Sequence, residues 1–323
     1  MTTFGFLALL LALPLPAAPQ ALRIDTGEAD TVLAILSGGK DSKGLPAAEG
    51  YTRLKQREAS MGRAFTDREF QAFLESPALQ EKREALAAAL REWKRADIES
   101  IGERVRSYLP PEARLKATVY IVIKPQSNSF VYDLKTDPAI FLYLDPSKTR
   151  AQFENTVAHE LHHIGLSSLP ELTDPALTPN ARAAVEWLGA FGEGLAMLAA
   201  AGSPDVHPHR DSPPEDRARW DRDSKKLLQD MRALEAFLLG VAKGEWDENQ
   251  RREKGMSFFG TQGPWYTVGW KMAVTVEKAK GRAELVECMR DMRRLLFSYN
   301  DAANTGGLPL WSEELLNAFR RPL

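Results

Sequence analysis

Residues 156–165 read T-V-A-H-E-L-H-H-I-G and contain a single H-E-x-x-H pattern, which runs from His159 to His163. On an α-helix these two histidines stand one turn apart, so both imidazoles can bind one tetrahedral Zn²⁺. Glu160 then lies beside the metal, where its carboxylate can take a proton from water and pass it to a leaving amine. His162 has the wrong register for this site, and we expect it to be packed or to support the ligands indirectly. The stretch therefore predicts a zinc-binding helix that also carries an acid/base carboxylate.

The flanking sequence supplies the signals that such a helix needs. Asp145 followed by Pro146 offers an N-cap and a first helical residue, and Gly165 offers a stop. An apolar stripe with steps of three and four residues would seat the helix against a core. The stripe consists of Phe153, Val157, Leu161 and Ile164. We therefore predict a helix over about 145–165, with the two histidines near its C-terminal end.

Two histidines do not make a stable zinc site, so a third ligand is required. The metzincin pattern would place glycine at position 166 and histidine at position 169, but the chain has Leu166 and Leu169 there. The metzincin class is therefore excluded. The other common solution is a glutamate on a following helix, and residues 180–201 are predicted to form one.

That second helix offers two glutamates, Glu186 and Glu193, which share a face because they are seven residues apart. We favour Glu193, because Gly192 and Gly194 flank it and leave the backbone free to approach the motif helix closely. The gap from His163 is 193 minus 163, or 30 positions. This gap is longer than in thermolysin-like enzymes, so the spacing alone does not select Glu193.

Three segments together resemble a known kind of protein: T-V-A-H-E-L-H-H-I-G at 156–165, F-G-E-G-L-A at 191–196 and Y-T-V-G-W-K-M-A at 266–273. They are similar to bacterial families of unknown function that are described only as zinc-dependent peptidases, of the gluzincin-like type. The resemblance implies a zinc ion held by His159, His163 and Glu193, with Glu160 as the catalytic carboxylate. One departure is Met197, which stands where a thermolysin-type site has aspartate four residues after the third ligand.

Tyr266 is a further candidate catalytic residue. It stands on the first turn of a helix that Pro264 is predicted to open, and that ends near Gly281. A tyrosine hydroxyl there could donate a hydrogen bond to the oxyanion that forms when a peptide carbonyl is attacked, and the resemblance supports this role. The alternative is that Tyr266, like its neighbour Trp265, belongs to an aromatic core.

The strand signal is confined to residues 117–123 and 139–144, which are rich in β-branched and aromatic residues and precede the motif helix. Helical patterns dominate the rest of the chain. Helices are predicted over 79–109, 215–243 and 282–299, a loop over 244–263, and a capping box from Thr66 to Glu69. We therefore predict an α+β, predominantly helical fold. The order of strands before the motif helix resembles that of zincins, which implies a zincin-like domain in which a small β-sheet lies above the active-site helix. In such folds an edge strand pairs with an extended substrate. The alternative is that these strands only build the core.

The chain divides into three predicted segments. Residues 1–21 have the pattern of a signal peptide, with an apolar stretch from Phe4 to Leu13 that is too short to span a bilayer. Residues 22–115 form an N-terminal helical region, and residues 116–323 a zincin-like metallopeptidase region that is either separate from it or continuous with it. The leader predicts export to the periplasm or the extracellular space, with no stable membrane insertion after its removal. The alternative is an apolar N-terminal helix packed on the domain.

Composition narrows the expected partners. The chain has 323 residues, 44% of them hydrophobic, and a net charge of -2, which gives no electrostatic case for binding nucleic acid. We expect a peptide or protein substrate instead. His207 and His209 lie in a Pro- and Asp-rich stretch and are predicted to be solvated rather than to bind a metal. Cys288 is the only cysteine and cannot form an internal disulfide.

These features predict a zinc-dependent peptidase of the gluzincin type, which uses a metal-activated water with Glu160 as general base and acid. Two alternatives remain open. The chain could be a non-catalytic, zinc-stabilised helical binding module, for which a fourth protein ligand such as His207 would be evidence. It could also be a zinc hydrolase that acts on non-peptide amides or esters, because the motif does not distinguish these substrates from peptides.

Overall fold

The structure is a computed structural model that describes residues 22–39, 44–171 and 174–320. The predicted leader, residues 1–21, lies outside the described residues. The described strands are β1 (Leu22–Asp25), β2 (Ala117–Val122), β3 (Phe130–Tyr132) and β4 (Ala139–Tyr143). The described α-helices are α1 (Gly27–Leu36), α2 (Glu49–Ser60), α3 (Asp67–Leu74), α4 (Pro77–Trp93), α5 (Ile98–Arg106), α6 (Arg150–Ser167), α7 (Pro179–Leu188), α8 (Gly192–Ala201), α9 (Pro214–Ser224), α10 (Leu227–Lys243), α11 (Glu248–Ser257), α12 (Pro264–Lys280), α13 (Arg282–Cys288), α14 (Met292–Gly306) and α15 (Glu313–Phe319). The prediction of an α+β, predominantly helical fold is confirmed.

One small mixed sheet has the strand order β1-β2-β4-β3. β2 is parallel to both β1 and β4, whereas β3 is antiparallel to β4. All six residues of β2 are buried, as expected for a central strand with neighbours on both sides and layers over both faces. The sequence predicted β2 and β4 but neither edge strand.

Strand β1 belongs to the predicted N-terminal region and pairs with β2 of the predicted C-terminal region. Leu22 pairs with Ala117 and Asp25 with Tyr120, so a segment from 22–115 completes a sheet whose other strands lie in 116–323. Buried residues from both regions also belong to one core cluster, which includes Val32 and Val157. A boundary between 115 and 116 nevertheless stays a prediction.

The motif helix α6 begins later than predicted. Its N-cap is Thr149, whose hydroxyl accepts from the Gln152 main-chain N–H at 3.2 Å, while the Gln152 side chain accepts from the Thr149 N–H at 2.8 Å. This capping box satisfies two N–H groups at the helix start. Asp145 instead accepts from the N–H and hydroxyl of Ser147 in the preceding turn. The Asp145 start was therefore wrong.

The end of α6 was also predicted too early. The helix passes through Gly165 and ends at Ser167. A Cβ atom on Gly165 would lie 2.3 Å from a methyl carbon of Leu109, so the glycine makes room for a neighbouring side chain rather than ending the helix. The predicted apolar stripe is buried against the core, as expected; it consists of Phe153, Val157, Leu161 and Ile164.

The predicted helix 180–201 consists of two helices joined by a short 3-10 turn, Gly189–Phe191. By length and composition this run could cross a membrane, but 61% of its apolar window is buried inside the fold. It therefore has the character of a core segment. Its second half, α8, packs between α6 and α12.

Several longer helical predictions are divided in the structure. Residues 79–109 form α4 and α5, because Asp97 caps a new helix by accepting from the Ser100 N–H. Residues 215–243 form α9 and α10, and residues 282–299 contribute to α13 and α14. The predicted loop 244–263 contains α11, whereas the predicted Pro264 helix and the capping box from Thr66 to Glu69 are confirmed.

Candidate metal centre

The structure brings His159, His163 and Glu193 together in one group. The Nε2 atoms of the two histidines are 3.0 Å apart, and each lies 3.1 Å from the same carboxylate oxygen of Glu193. α6 supplies both histidines one turn apart, and α8 supplies the glutamate. Among the described residues, these three form the only group of His, Cys, Asp or Glu with ligand atoms close enough for one metal ion.

This donor set fits zinc. Two imidazole nitrogens and one carboxylate oxygen are typical of catalytic zinc sites, which keep a fourth position open. A tetrahedral zinc ion with bonds of about 2.0–2.1 Å needs ligand atoms separated by about 3.3 Å. The observed triangle, with edges of 3.0 and 3.1 Å, would need to expand by only a few tenths of an ångström. Glu186, the other glutamate considered from the sequence, is exposed on α7 and lies outside the group.

The electrostatics of the group favour an ionised Glu193. Burial alone would raise the pKa of this carboxyl, but hydrogen bonds from the two histidines outweigh burial and hold the pKa far below its usual range. Conversely, burial would lower the pKa of His163, but the hydrogen bond to Glu193 raises it. The carboxylate is therefore negatively charged at neutral pH, which is the form that binds a metal cation.

The glycines that flank Glu193 do not both allow the close helix approach that the sequence predicted. A Cβ atom on Gly194 would lie 2.0 Å from the main-chain nitrogen of Trp270 on α12, whereas one on Gly192 would meet nothing within 4 Å. Gly194 therefore allows a close approach to α12, not to the motif helix α6. The prediction that both glycines serve an approach to α6 was wrong.

Glu160 and Tyr266 stand at the edge of the same group. Burial raises the pKa of the Tyr266 hydroxyl, and the negative charges of Glu193 and Glu160 raise it further. The phenol therefore stays protonated at neutral pH and can donate its proton in a hydrogen bond. Its ring lies nearly parallel to that of His159, with ring centroids 6.3 Å apart. Trp265, in contrast, is fully buried and donates its indole N–H to the Gly255 carbonyl.

A polar cleft of about 370 Å³ opens beside the group. We use this name for the cavity lined by Asn155, Thr156, His159, Met197, His209, Arg219 and Tyr266, with other residues. All its lining residues come from helices and connecting loops, and none comes from the four strands. The strand edge expected from the sequence thus does not line this cleft.

The remaining histidines are held away from the group. His162 is fully buried, donates from Nε2 to the Tyr108 carbonyl at 3.3 Å, and has its pKa lowered to about 3 by burial. His207 contacts Asp221 through Nε2 at 3.0 Å. His209 is 5% exposed, contacts the Ser212 hydroxyl and lines the polar cleft. The prediction that His209 is solvated was therefore wrong.

Sequence reasoning did not find most of the polar cleft. Arg219 comes from α9, His209 from the loop before it, and Gln262 from the loop before α12. These segments meet only in the folded chain. One signal was present, because Ser212 follows His209 by three residues and a serine hydroxyl can form a local hydrogen bond of this kind.

Comparison with known proteins gives a consistent result. No curated protein sequence and no solved structure matched the chain. A family model matches residues 46–306, which contain all five candidate site residues and more than three quarters of the chain. The chain belongs to the family that is described as "Putative zinc dependent peptidase (DUF5700)".

Proposed function

We propose that this protein is a gluzincin-type zinc peptidase that hydrolyses peptide bonds, with zinc bound by His159, His163 and Glu193. The observation that carries the proposal is the meeting of three ligand atoms from two helices, 3.0–3.1 Å from one another. The description of the family as zinc-dependent peptidases supports the same reading. A zincin-like fold is part of the proposal, because the strands precede the motif helix and β4 is the element directly before it.

The proposed roles follow from charge and position. A zinc ion at this site would supply Lewis acidity, which lowers the pKa of a water molecule and polarises a carbonyl group. Glu160 follows the ligand His159 directly, and its carboxylate accepts a proton from the attacking water and donates it to the leaving amine. Tyr266 donates a hydrogen bond from its hydroxyl to the oxygen of the attacked carbonyl, where negative charge develops.

The choice between an enzyme and a zinc-stabilised binding module depends on the fourth ligand. A structural zinc site is closed by four protein ligands. Within the part of the chain that the structure describes, the group contains three, and His207 is engaged by Asp221 instead. A binding module would also have no use for Glu160. The open position and the carboxylate beside it therefore favour a hydrolase.

The direct test of the proposed chemistry is Glu160→Gln, which keeps the size of the side chain but removes its basicity. We expect zinc content to stay at the wild-type level while peptide cleavage falls by at least about a hundredfold. Glu154→Gln is the matched control, because Glu154 lies on the same helix outside the metal group and forms an ion pair with Arg150. If Glu160→Gln cleaves peptides as well as the wild type, the mechanism is wrong.

Small amides and esters assayed beside the peptides separate a peptidase from the alternative hydrolases.

The location and substrate belong to the proposal as well. We propose that residues 1–21 direct export to the periplasm or the extracellular space, and that peptides or proteins there are the substrates. The support is the apolar stretch from Phe4 to Leu13. Expression of the full chain and of a chain lacking residues 1–21, followed by fractionation, tests this; equal export of both would refute it.

A further inference from the structure

A second, larger cavity lies near the metal group. We call it the apolar cleft; it has a volume of about 1040 Å³, and its lining combines Gly189 and apolar residues such as Leu134, Leu166, Leu177, Val185 and Met292 with charged residues such as Arg182, Glu186 and Arg290. Apolar surface predominates in this lining, and Leu134 is 42% exposed although its side chain is large and hydrophobic. Exposed apolar surface that forms a concave site is a common feature of ligand-binding clefts.

The motif helix connects the two clefts. Thr156 and His159 line the polar cleft, Leu166 and Ser167 line the apolar cleft, and the ligand His163 lies between the two pairs. His159 and Leu166 are seven residues apart and therefore share one helix face, with His163 between them on that face. Along α6, the metal group thus stands between the polar cleft on its N-terminal side and the apolar cleft on its C-terminal side.

The run from α7 to α8 gives the same arrangement in the opposite direction. Val185 and Gly189 line the apolar cleft, and Met197 lines the polar cleft. Glu193 and Met197 share one face of α8 because they are four residues apart, and Gly189 lies in the 3-10 turn directly before that helix. Two independent helical segments therefore each carry a zinc-ligand candidate between residues of the two clefts.

From this placement we propose that the peptide substrate lies across the metal group with residues in both clefts, so that the enzyme cleaves internal peptide bonds. The inference rests on the proposed peptidase function and specifies its substrate class. The segment of α6 from Gln152 to Ser167 lines both clefts and is about 22 Å long. This length corresponds to about six or seven residues of an extended chain. A substrate of that length has residues on both sides of the bond that is cut.

The lining of each cleft indicates which substrate side chains it can contact. In the polar cleft Arg219 pairs with Asp216 at 2.6 Å and Asp211 with Arg210 at 3.0 Å, and Gln152, Asn155 and Thr156 add uncharged hydrogen-bonding groups. Covering Leu134, Leu166 and Val185 in the apolar cleft with an apolar side chain removes apolar surface from water, which lowers the free energy of binding. We therefore place an apolar substrate residue in the apolar cleft, on one side of the cleaved bond.

Two bulky substitutions test the two clefts separately. Gly189 has helical φ and ψ of -54° and -26°, and a Cβ there meets nothing within 4 Å, so Gly189→Trp fills the apolar cleft without disturbing the core. Asn155→Trp fills the polar cleft from a partly exposed position on α6. Gly306→Trp is the control, because this exposed helical glycine lines neither cleft.

The substrate is a library of ten-residue peptides with acetylated N-termini and amidated C-termini, analysed by mass spectrometry. We expect the wild type to cut internal bonds with an apolar residue on one side. Each of Gly189→Trp and Asn155→Trp should lower kcat/KM about tenfold with zinc retained, whereas Gly306→Trp should not.

Cleavage that requires a free terminus, or an effect of only one of the two cleft variants, overturns the inference and leaves the proposed peptidase function intact. If the zinc-loaded wild type cleaves neither blocked nor free peptides, the proposed function fails, and the inference fails with it.

Discussion

Gly194 and Gly269 bring the backbones of α8 and α12 into direct contact. A Cβ atom on Gly269 would lie 3.3 Å from the Cα of Gly194, and one on Gly194 would lie 2.2 Å from the carbonyl carbon of Gly269. Glu193 is the residue before Gly194, and Tyr266 lies three residues before Gly269. This helix contact therefore holds the candidate third ligand opposite the candidate oxyanion donor.

Gly194→Ala should disturb that arrangement. The new methyl group would overlap the backbone at Trp270, and because backbone cannot move aside alone, the helices must separate. We expect a loss of about 1–3 kcal/mol in the free energy of unfolding, measured with urea, together with weaker zinc binding. Gly192→Ala is the control, since its Cβ meets nothing within 4 Å. Equal stability and zinc affinity in the two variants would show that the helix contact is not required.

Tyr266→Phe should lower turnover without loss of zinc. The variant removes one hydrogen-bond donor and keeps the ring that lies beside His159, so kcat should fall about 10²-fold while KM changes little. Tyr143→Phe, on β4 and outside the polar cleft, should retain full activity. Unchanged kcat in Tyr266→Phe would assign Tyr266 to packing alone.

His207→Ala should retain zinc. Its imidazole contacts Asp221, so its removal leaves the metal group complete. His163→Ala removes one of the three ligands and should reduce zinc content to a small fraction of that in the wild type, measured by atomic emission. Comparable zinc loss in both variants would favour the closed site of a structural module.

Glu28 should make stability depend on pH. Burial raises the pKa of this carboxyl to about 8, although a hydrogen bond from the Ile123 N–H opposes the shift. Because the folded pKa exceeds the unfolded value of 4.5, Glu28 ionises first in the unfolded chain as pH rises. Its contribution to stability is complete below about pH 4.5 and is lost progressively up to about pH 8.

Urea unfolding at pH 5 and pH 8 measures this effect. Glu28→Gln keeps an acceptor for the Ile123 N–H but does not titrate, so the variant should lose less stability than the wild type between the two pH values. An identical decrease in both proteins would contradict a buried, protonated Glu28.

The sequence predicted the elements whose cause is local. The motif helix, the Thr66 capping box and the Pro264 helix follow from spacing and caps that neighbouring residues supply. Glu193 was favoured over Glu186 because glycines flank it, although Gly194 serves a contact with α12 and not with α6. The predicted helix start was wrong, because Asp145-Pro146 and Thr149 with Gln152 are competing signals, and the structure forms the reciprocal capping box of the second while Asp145 caps a turn.

Elements stabilised by distant contacts could not be predicted. β1 has four residues and exists through pairing with β2, more than ninety positions away. α11 buries only Gly255, over which the Trp187 ring lies, so its sequence lacks an apolar stripe. The apolar cleft likewise combines α6, α7 and the turn that contains Leu134. No single segment of the sequence contains such a surface.

The most direct measurement of the central claim is anomalous diffraction at the zinc absorption edge from crystals of the purified protein. The account predicts one strong peak within about 2.0–2.1 Å of Nε2 of His159, Nε2 of His163 and a carboxylate oxygen of Glu193. A peak located instead at His207 and His209, or no peak between α6 and α8 in zinc-loaded crystals, would contradict it.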